Sequence, residues 1–229
     1  MLGTVVNTAV VVIGALLGML FKRGIPERVG DAVIKAFGLI TLYIGISGAF
    51  KGESPYVMIL SIALGTMVGE WLDLQKGIER FAQTLETRFA KEDDSRIAQG
   101  FISATLLFCM GAMAIVGSLE GGLRGDHTLI FTKSTLDFIS AMFLAASLGI
   151  GVLFAAGSVF VYQGAIVLLA GLVAPFLSDP IITEISAVGS VLLMGLAFNL
   201  LGVTKLRIMN YIPAVLLPIL LVPLFSLLM

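Results

Sequence analysis

The chain has 229 residues, of which 58% are hydrophobic and only 13% charged, and its formal net charge is −1. Soluble domains carry about 25% charged residues, so this composition and a mean hydropathy of +1.06 exclude a water-soluble globule. The near-neutral charge gives no reason to expect a nucleic-acid partner. Because a helix needs about 20 apolar residues to cross a bilayer, we expect an all-α bundle of about eight membrane spans in one domain, 1–229.

Apolar runs bounded by glycine, proline or charge predict the spans in chain order. The predicted spans are 4–21, 31–49, 56–73, 99–118, 134–154, 158–177, 184–203 and 211–228. The first lacks positive charges before its apolar run, so we expect it to be retained and not cleaved as a leader. The run from Phe138 to Leu177 is divided at 151–157 on glycine content alone, and seven spans are the alternative.

The loops between the spans differ in their content of lysine and arginine. Those that follow odd-numbered spans hold eleven of the fourteen basic residues, whereas the even-numbered loops hold only Lys51, Arg124 and Lys133. Basic loops mark the cytoplasmic side of a membrane. We therefore expect both termini to lie outside the cytoplasm.

The third loop, 74–97, is the only long one, and it predicts a cytoplasmic amphipathic helix followed by a linker. Leu74, Ile78, Phe81, Leu85 and Phe89 recur at three- and four-residue intervals among charged residues. This spacing favours a helix that continues the third span and lies at the membrane surface. A docking site for a partner protein is the alternative.

Small residues recur at four-residue spacing in 14–18 and 65–69. Such pairs of glycines allow helices to approach closely inside a membrane. They predict tight packing and permit a homo-oligomer of unspecified stoichiometry. Pro213, Pro218 and Pro223 predict a kinked last span.

Polar residues within the spans are the candidates for a substrate path, because hydrocarbon does not satisfy them. The candidates are Asn7, Glu70, Lys133, Asp137, Gln163, Asn199 and Asn210. Lys133 and Asp137 are four residues apart at the predicted outer start of the fifth span, which favours an ion pair on one helix face. The pair has either a structural role or that of a gate or outer substrate site. The amides either join helices or line a hydrated path.

Catalytic and metal motifs are absent from the sequence. Cys109 and His127 are the only residues of their types, and neither has ligand-spaced partners for a metal site. No phosphate-binding glycine loop ending in Lys-Ser/Thr is present. We therefore expect neither an enzyme nor a bound metal or cofactor.

Several segments together resemble the bacterial YdfK/YqgA family, known as domain of unknown function 554. The segments are GTVVN (3–7), GALLG (14–18), IPER (25–28), FGLITLYIG (37–45), GTMVGE (65–70), GD (125–126), KSTLD (133–137), SLGIGV (147–152), YQG (162–164) and NYIP (210–213). The resemblance implies a multi-pass protein of the bacterial cytoplasmic (inner) membrane. It supplies no substrate and no catalytic residues, although members are sometimes loosely labelled transporters.

Two hypotheses about function follow. The first is a membrane transporter or channel for an ion or small solute, with the polar residues named above along its path. The second is a non-transporting membrane scaffold or sensor that acts through the loop 74–97. Besides that solute or protein, the expected partner is the lipid bilayer around the bundle.

Overall fold

The structure is a computed structural model, and it describes residues 1–22, 27–77, 79–80, 84 and 97–228. Within these residues it is helical, without strands, which confirms the predicted all-α class. The helices are α1 (Leu2–Lys22), α2 (Glu27–Ala49), α3 (Pro55–Leu72), α4 (Ile97–Cys109), α5 (Ala112–Leu123), α6 (Thr128–Leu148), α7 (Gly151–Leu168), α8 (Ala170–Val173), a 3₁₀ turn (Ala174–Phe176), α9 (Asp179–Leu200), a long 3₁₀ helix (Ile208–Leu216) and α10 (Pro218–Leu228).

Within the described residues, six helices are long and apolar enough to cross a membrane, and two further spans are broken. The first broken span consists of α4 and α5, which meet at 61°, and the second consists of the long 3₁₀ helix and α10, which meet at 41°. Counting each broken pair as one span gives the predicted eight. The kink in the last span follows its prolines as predicted, whereas the break in the fourth span was not predicted.

Contacts between helix ends sort the loops onto two faces of the bundle. Met1 lies beside Gly164 near the end of α7, and Tyr56 at the start of α3 stacks on Phe225 near the C-terminus. Glu184 near the start of α9 joins these regions by accepting from the backbone N–H of Glu53. Both chain termini thus lie at one face, which we call the terminal face. The loops 73–77 and 201–207 lie at the other, which we call the opposite face.

Close glycine packing joins helices that are distant in sequence. α1 and α6 run parallel, and a Cβ at Gly14 would lie 2.5 Å from the backbone oxygen of Phe138. A Cβ at Gly69 in α3 would overlap the backbone oxygen of Asn210. Any larger side chain would separate these helices. The predicted role of the spaced glycines is confirmed at both places.

The boundaries of the fifth and sixth spans differ from the prediction. The fifth span begins at Thr128 instead of 134 and ends at Leu148, because Gly149 has φ 74°, a backbone conformation that favours glycine. The predicted break at 151–157 is therefore wrong and lies inside α7. The sixth span ends at Leu168 instead of 177.

The third span ends earlier and more sharply than predicted. Asp73 has φ 48° and closes α3 after Leu72, so the following segment does not continue the third span in a straight line. Residues 74–77, 79–80 and 84 are helical. The rest of the predicted amphipathic helix and linker, 74–97, lies outside the described residues apart from Ile97, where α4 begins.

Candidate functional site

Three of the predicted site residues meet in the middle of the bundle. Lys133 and Asp137 form the ion pair predicted from their spacing, and the Asn7 side-chain amide donates to the same Asp137 oxygen at 3.0 Å. Lys133 is 7% exposed, Asp137 is 6% exposed and Asn7 is fully buried. We call these three residues the midplane cluster.

The depth of this cluster corrects the prediction that the pair lies at the outer start of the fifth span. Because α6 begins at Thr128, Lys133 is its sixth residue and Asp137 its tenth, about 8 and 14 Å from the helix start at 1.5 Å per residue. The pair therefore lies between about one quarter and one half of the way through the roughly 30 Å thickness of the hydrocarbon core. An ionised pair at this depth is costly, and such residues tend to mark functional sites.

The fourth span breaks beside the cluster. Gly111, with φ 148°, separates α4 from α5, and the Phe108 ring centroid at the end of α4 lies 5.9 Å from the Lys133 ammonium nitrogen. The last carbonyls of α4 and the first N–H groups of α5 largely lack intrahelical partners. The negative end of one helix dipole and the positive end of another therefore meet near the ion pair.

A cavity of about 370 Å³ joins these features. It is lined by Lys133 and Asp137 of α6, the break around Gly111, and one face each of α2 and α9. Lys51, exposed in the loop after α2, also lines it at the terminal face. We call this cavity the terminal vestibule.

A second cavity, of about 410 Å³, enters from the opposite face. Lys205 and Arg207 line it at that face, and Ser103 of α4 and Leu196 of α9 line it within the bundle. The Ser103 hydroxyl is buried and has no hydrogen-bond partner among the described residues. We call this cavity the opposite vestibule.

The two vestibules follow the same pair of helices. The α4 residues that line the opposite vestibule end at Ser103, and those that line the terminal vestibule begin at Leu107. On α9 the corresponding residues are Leu196 and Leu193. Four residues of helix rise about 6 Å, so little more than one helical turn of buried side chains separates the cavities.

Three other predicted candidates lie at the opposite face and hold loops in place. Glu70 pairs with Arg207 at 3.0 Å, and Arg207 also pairs with Asp73. Asn199 closes the loop after α9 by bonding both the N–H and the carbonyl of Leu206 at 2.8 Å. We call Glu70, Asp73 and Arg207 the opposite-face cluster.

Asn210 is fully buried and accepts from the backbone N–H of Gln75 at 2.7 Å. It therefore fixes the start of the last span against the segment after α3. Of these three candidates only Asn199 lines a vestibule. The seven predicted residues consequently do not converge on one site.

Gln163 is fully buried in α7, and neither atom of its amide has a hydrogen-bond partner among the described residues. Its neighbour Gly164 lies beside Met1. Gln163 lines neither vestibule. Gln163 is therefore not part of the cavity lining that contains Lys133 and Asp137.

Two features were missed in the sequence. Gly111 stands in an apolar run and is one of 26 glycines, so only its position inside a predicted span could have suggested a break. Glu184, which is 2% exposed, accepts from the backbone N–H groups of Glu53 and Ser54 at 2.6 and 2.8 Å. It holds the turn before α3.

Asp126 lies just before the fifth span and stabilises the start of α6. Its carboxylate accepts from the Thr128 backbone N–H at 2.9 Å and from the Thr128 hydroxyl at 2.7 Å. These two hydrogen bonds hold the pKa of Asp126 below its usual range, because they favour the ionised form. This contact explains why α6 begins six residues earlier than predicted.

Metal ligands are not grouped in the part of the chain that the structure describes. Nowhere in it do three His, Cys, Asp or Glu side chains come together as a metal site. Cys109 is buried at the end of α4. It is near enough to Lys133 and Asp137 to interact with them electrostatically.

The fold and the midplane cluster together define a polytopic α-helical membrane protein with a buried charged pair and two broken spans. The family model described as "Protein of unknown function (DUF554)" matches residues 2–223. The chain therefore belongs to this family, and the resemblance noted in its sequence is confirmed.

Two curated relatives cover nearly the whole chain. The chain is 32% identical over 222 residues to "Uncharacterized membrane protein YdfK" of Bacillus subtilis, covering 95% of this chain and 94% of that protein. It is 30% identical over 220 residues to "Uncharacterized protein YqgA" of Escherichia coli, covering 94% of each. No solved structure matches the chain.

Proposed function

We propose that the protein is a membrane transporter that moves a small solute by alternating access between its two vestibules. The observation that carries this proposal is that two cavities follow α4 and α9 from opposite faces and stop about one helical turn apart. A scaffold has no need of such paired cavities. The alternative of a scaffold or sensor acting through 74–97 stays a prediction, since most of that loop lies outside the described residues.

The material between the vestibules is apolar and tightly packed. Leu106, Leu193 and Leu196 are at most 3% exposed and occupy the turn at which one cavity ends and the other begins. A shift of α4 against α9 by about one turn would close one vestibule and extend the other. The breaks at Gly111 and in the last span supply segments that can move as rigid pieces.

A pair of neighbouring residues on α6 tests the path. Ser140 is half buried and lines the terminal vestibule, whereas Ile139 is 45% exposed on the outer surface of the bundle. Ser140→Trp is expected to reduce solute flux into proteoliposomes at least ten-fold by filling the vestibule. Ile139→Trp, the matched control, is expected to leave flux within two-fold of the wild type.

The assay measures counterflow of a labelled panel of ions and small metabolites. If no solute moves through folded wild-type protein, the transport proposal is overturned. Equal flux through both tryptophan variants would overturn the path between α4 and α9.

We further propose that the protein lies in the bacterial cytoplasmic membrane with its terminal face outside, a placement supported by the basic loops. Phe50, 86% exposed, lies at the terminal face, and Val203, 69% exposed, lies at the opposite face. A membrane-impermeant maleimide added to spheroplasts is expected to label Phe50→Cys at once. Val203→Cys is expected to be labelled only after permeabilisation, and the reverse pattern would invert the orientation.

A further inference from the structure

We propose that the terminal vestibule binds a small zwitterion with one carboxylate and one ammonium group. Lys133 pairs with the carboxylate of this solute, and Asp137 pairs with its ammonium group. This inference rests on the proposed transport function and names the substrate class. It places the solute at the midplane cluster, beside the break at Gly111.

Charge balance at mid-depth distinguishes a zwitterion from a simple ion. Lys133 and Asp137 are buried and neutralise each other. An anion that pairs with Lys133 leaves the Asp137 carboxylate unpaired, and a cation that pairs with Asp137 leaves the Lys133 ammonium unpaired. Either unpaired charge is costly in a low-dielectric interior. A zwitterion brings a replacement for both partners, so the buried net charge does not change.

The paired residues also have unused hydrogen-bonding capacity. Both donors to Asp137 among the described residues, Lys133 and Asn7, reach Oδ2, which leaves Oδ1 for a ligand. A lysine ammonium has three donors, and only the bond to Asp137 engages one of them among the described residues. A ligand can therefore be held before the internal pair separates fully.

The broken span presents the same two polarities to the vestibule. Gly111 and the first turn of α5 line it, as do Leu107 and Met110 at the end of α4. Free N–H groups of a helix start favour a carboxylate, and free carbonyls of a helix end favour an ammonium. The volume of about 370 Å³ is at the small end of the roughly 300–1,000 Å³ of ligand cavities, which favours a small solute.

The first experiment measures binding to the purified full-length protein by thermal shift. The zwitterionic probes are glycine, L-alanine, L-serine and β-alanine, and the matched single-charge probes are propionate and ethylamine. We expect at least one zwitterion to raise the melting temperature and neither single-charge probe to do so. Stabilisation by propionate or ethylamine alone, or by no probe, would overturn the zwitterion class.

The second experiment removes the pair without leaving a lone charge. Lys133→Met combined with Asp137→Asn is expected to fold and to lose at least ten-fold in zwitterion binding and counterflow. The control removes one exposed cation and one exposed anion at the terminal face, outside the vestibule, by Arg124→Gln with Asp179→Asn. The control is expected to stay within two-fold of the wild type.

The outcomes separate this inference from the transport proposal. Flux of simple anions or cations without zwitterions leaves transport standing and overturns the substrate class. Zwitterion binding without any flux overturns transport and leaves the binding site. Full zwitterion binding by the folded double variant shows that the pair is only structural and overturns the inference.

Discussion

The midplane cluster and the opposite-face cluster contain similar chemistry in different settings. In the opposite-face cluster Arg207 is 45% exposed at its side chain and ties the last span to Glu70 and Asp73, so the ion pairs join separate elements. In the midplane cluster the charges are more than nine-tenths buried, yet Lys133 and Asp137 lie on the same helix. Their pairing therefore joins no two helices, and only the Asn7 bond does.

This difference bears on function. An exposed tether costs little and has an evident structural purpose. A buried pair within one helix costs much and gives little tertiary stability in return. A ligand-binding role for Lys133 and Asp137 accounts for such an arrangement.

The largest effect is expected from breaking the buried pair. Asp137→Asn leaves the Lys133 ammonium unpaired at mid-depth, and removal of one partner of a buried pair costs about 3–5 kcal/mol. The neutral double variant, with Lys133→Met added, should recover most of that loss. Unfolding of the purified single and double variants in mixed micelles measures both changes in the free energy of unfolding. A loss below about 1 kcal/mol for Asp137→Asn would show that the buried pair contributes no more than an exposed ion pair.

A second test asks whether the two regions differ in packing as well as in charge burial. Gly14→Ala beside the midplane cluster and Gly69→Ala at the opposite face both force a Cβ against backbone atoms, and overpacking costs about 1–3 kcal/mol. Gly164→Ala is the control, because its Cβ would meet only Met1 at an ordinary 3.7 Å. If Gly69→Ala behaves like the control in the same unfolding assay, the opposite face is loosely packed.

A smaller effect is expected from the exposed tether. Arg207→Gln removes both ion pairs of the opposite-face cluster, and exposed pairs contribute about 0.2–1 kcal/mol each. Addition of 1 M salt to the wild type should reproduce part of the loss, because exposed charges are screened. A loss as large as that of Asp137→Asn would remove the contrast between the two regions.

The smallest effect is expected at Asp126, a fully exposed carboxylate on the terminal face. Because its folded pKa is depressed, its contribution to stability is present above the unfolded pKa and is lost as pH falls through the folded pKa. Asp126→Asn should therefore lower stability slightly at pH 7 and weaken the acid dependence below about pH 4. Unfolding curves of both proteins across that range test the sign.

The sequence predicted the helical class, the number of spans and the Lys133–Asp137 pair, because hydropathy and four-residue spacing are local properties. The depth of the pair was missed because Asp126, His127 and Thr128 interrupt the apolar pattern, although Asp126 accepts from the Thr128 N–H at the start of a helix there. The bond from Asn7 to Asp137 spans 130 residues, and no local pattern reports it. The break at Gly111 lies between two equally apolar segments, so hydropathy does not change there.

That long separation also orders events during synthesis. Asn7 enters the membrane with the first span, and its partner follows 130 residues later, roughly 6–26 s at translation rates of about 5–20 residues per second. Lys133 and Asp137 enter on one helix already neutralised by each other. The Asn7 side-chain N–H therefore lacks its Asp137 partner until α6 has been synthesised and has docked along Gly14 and Gly18.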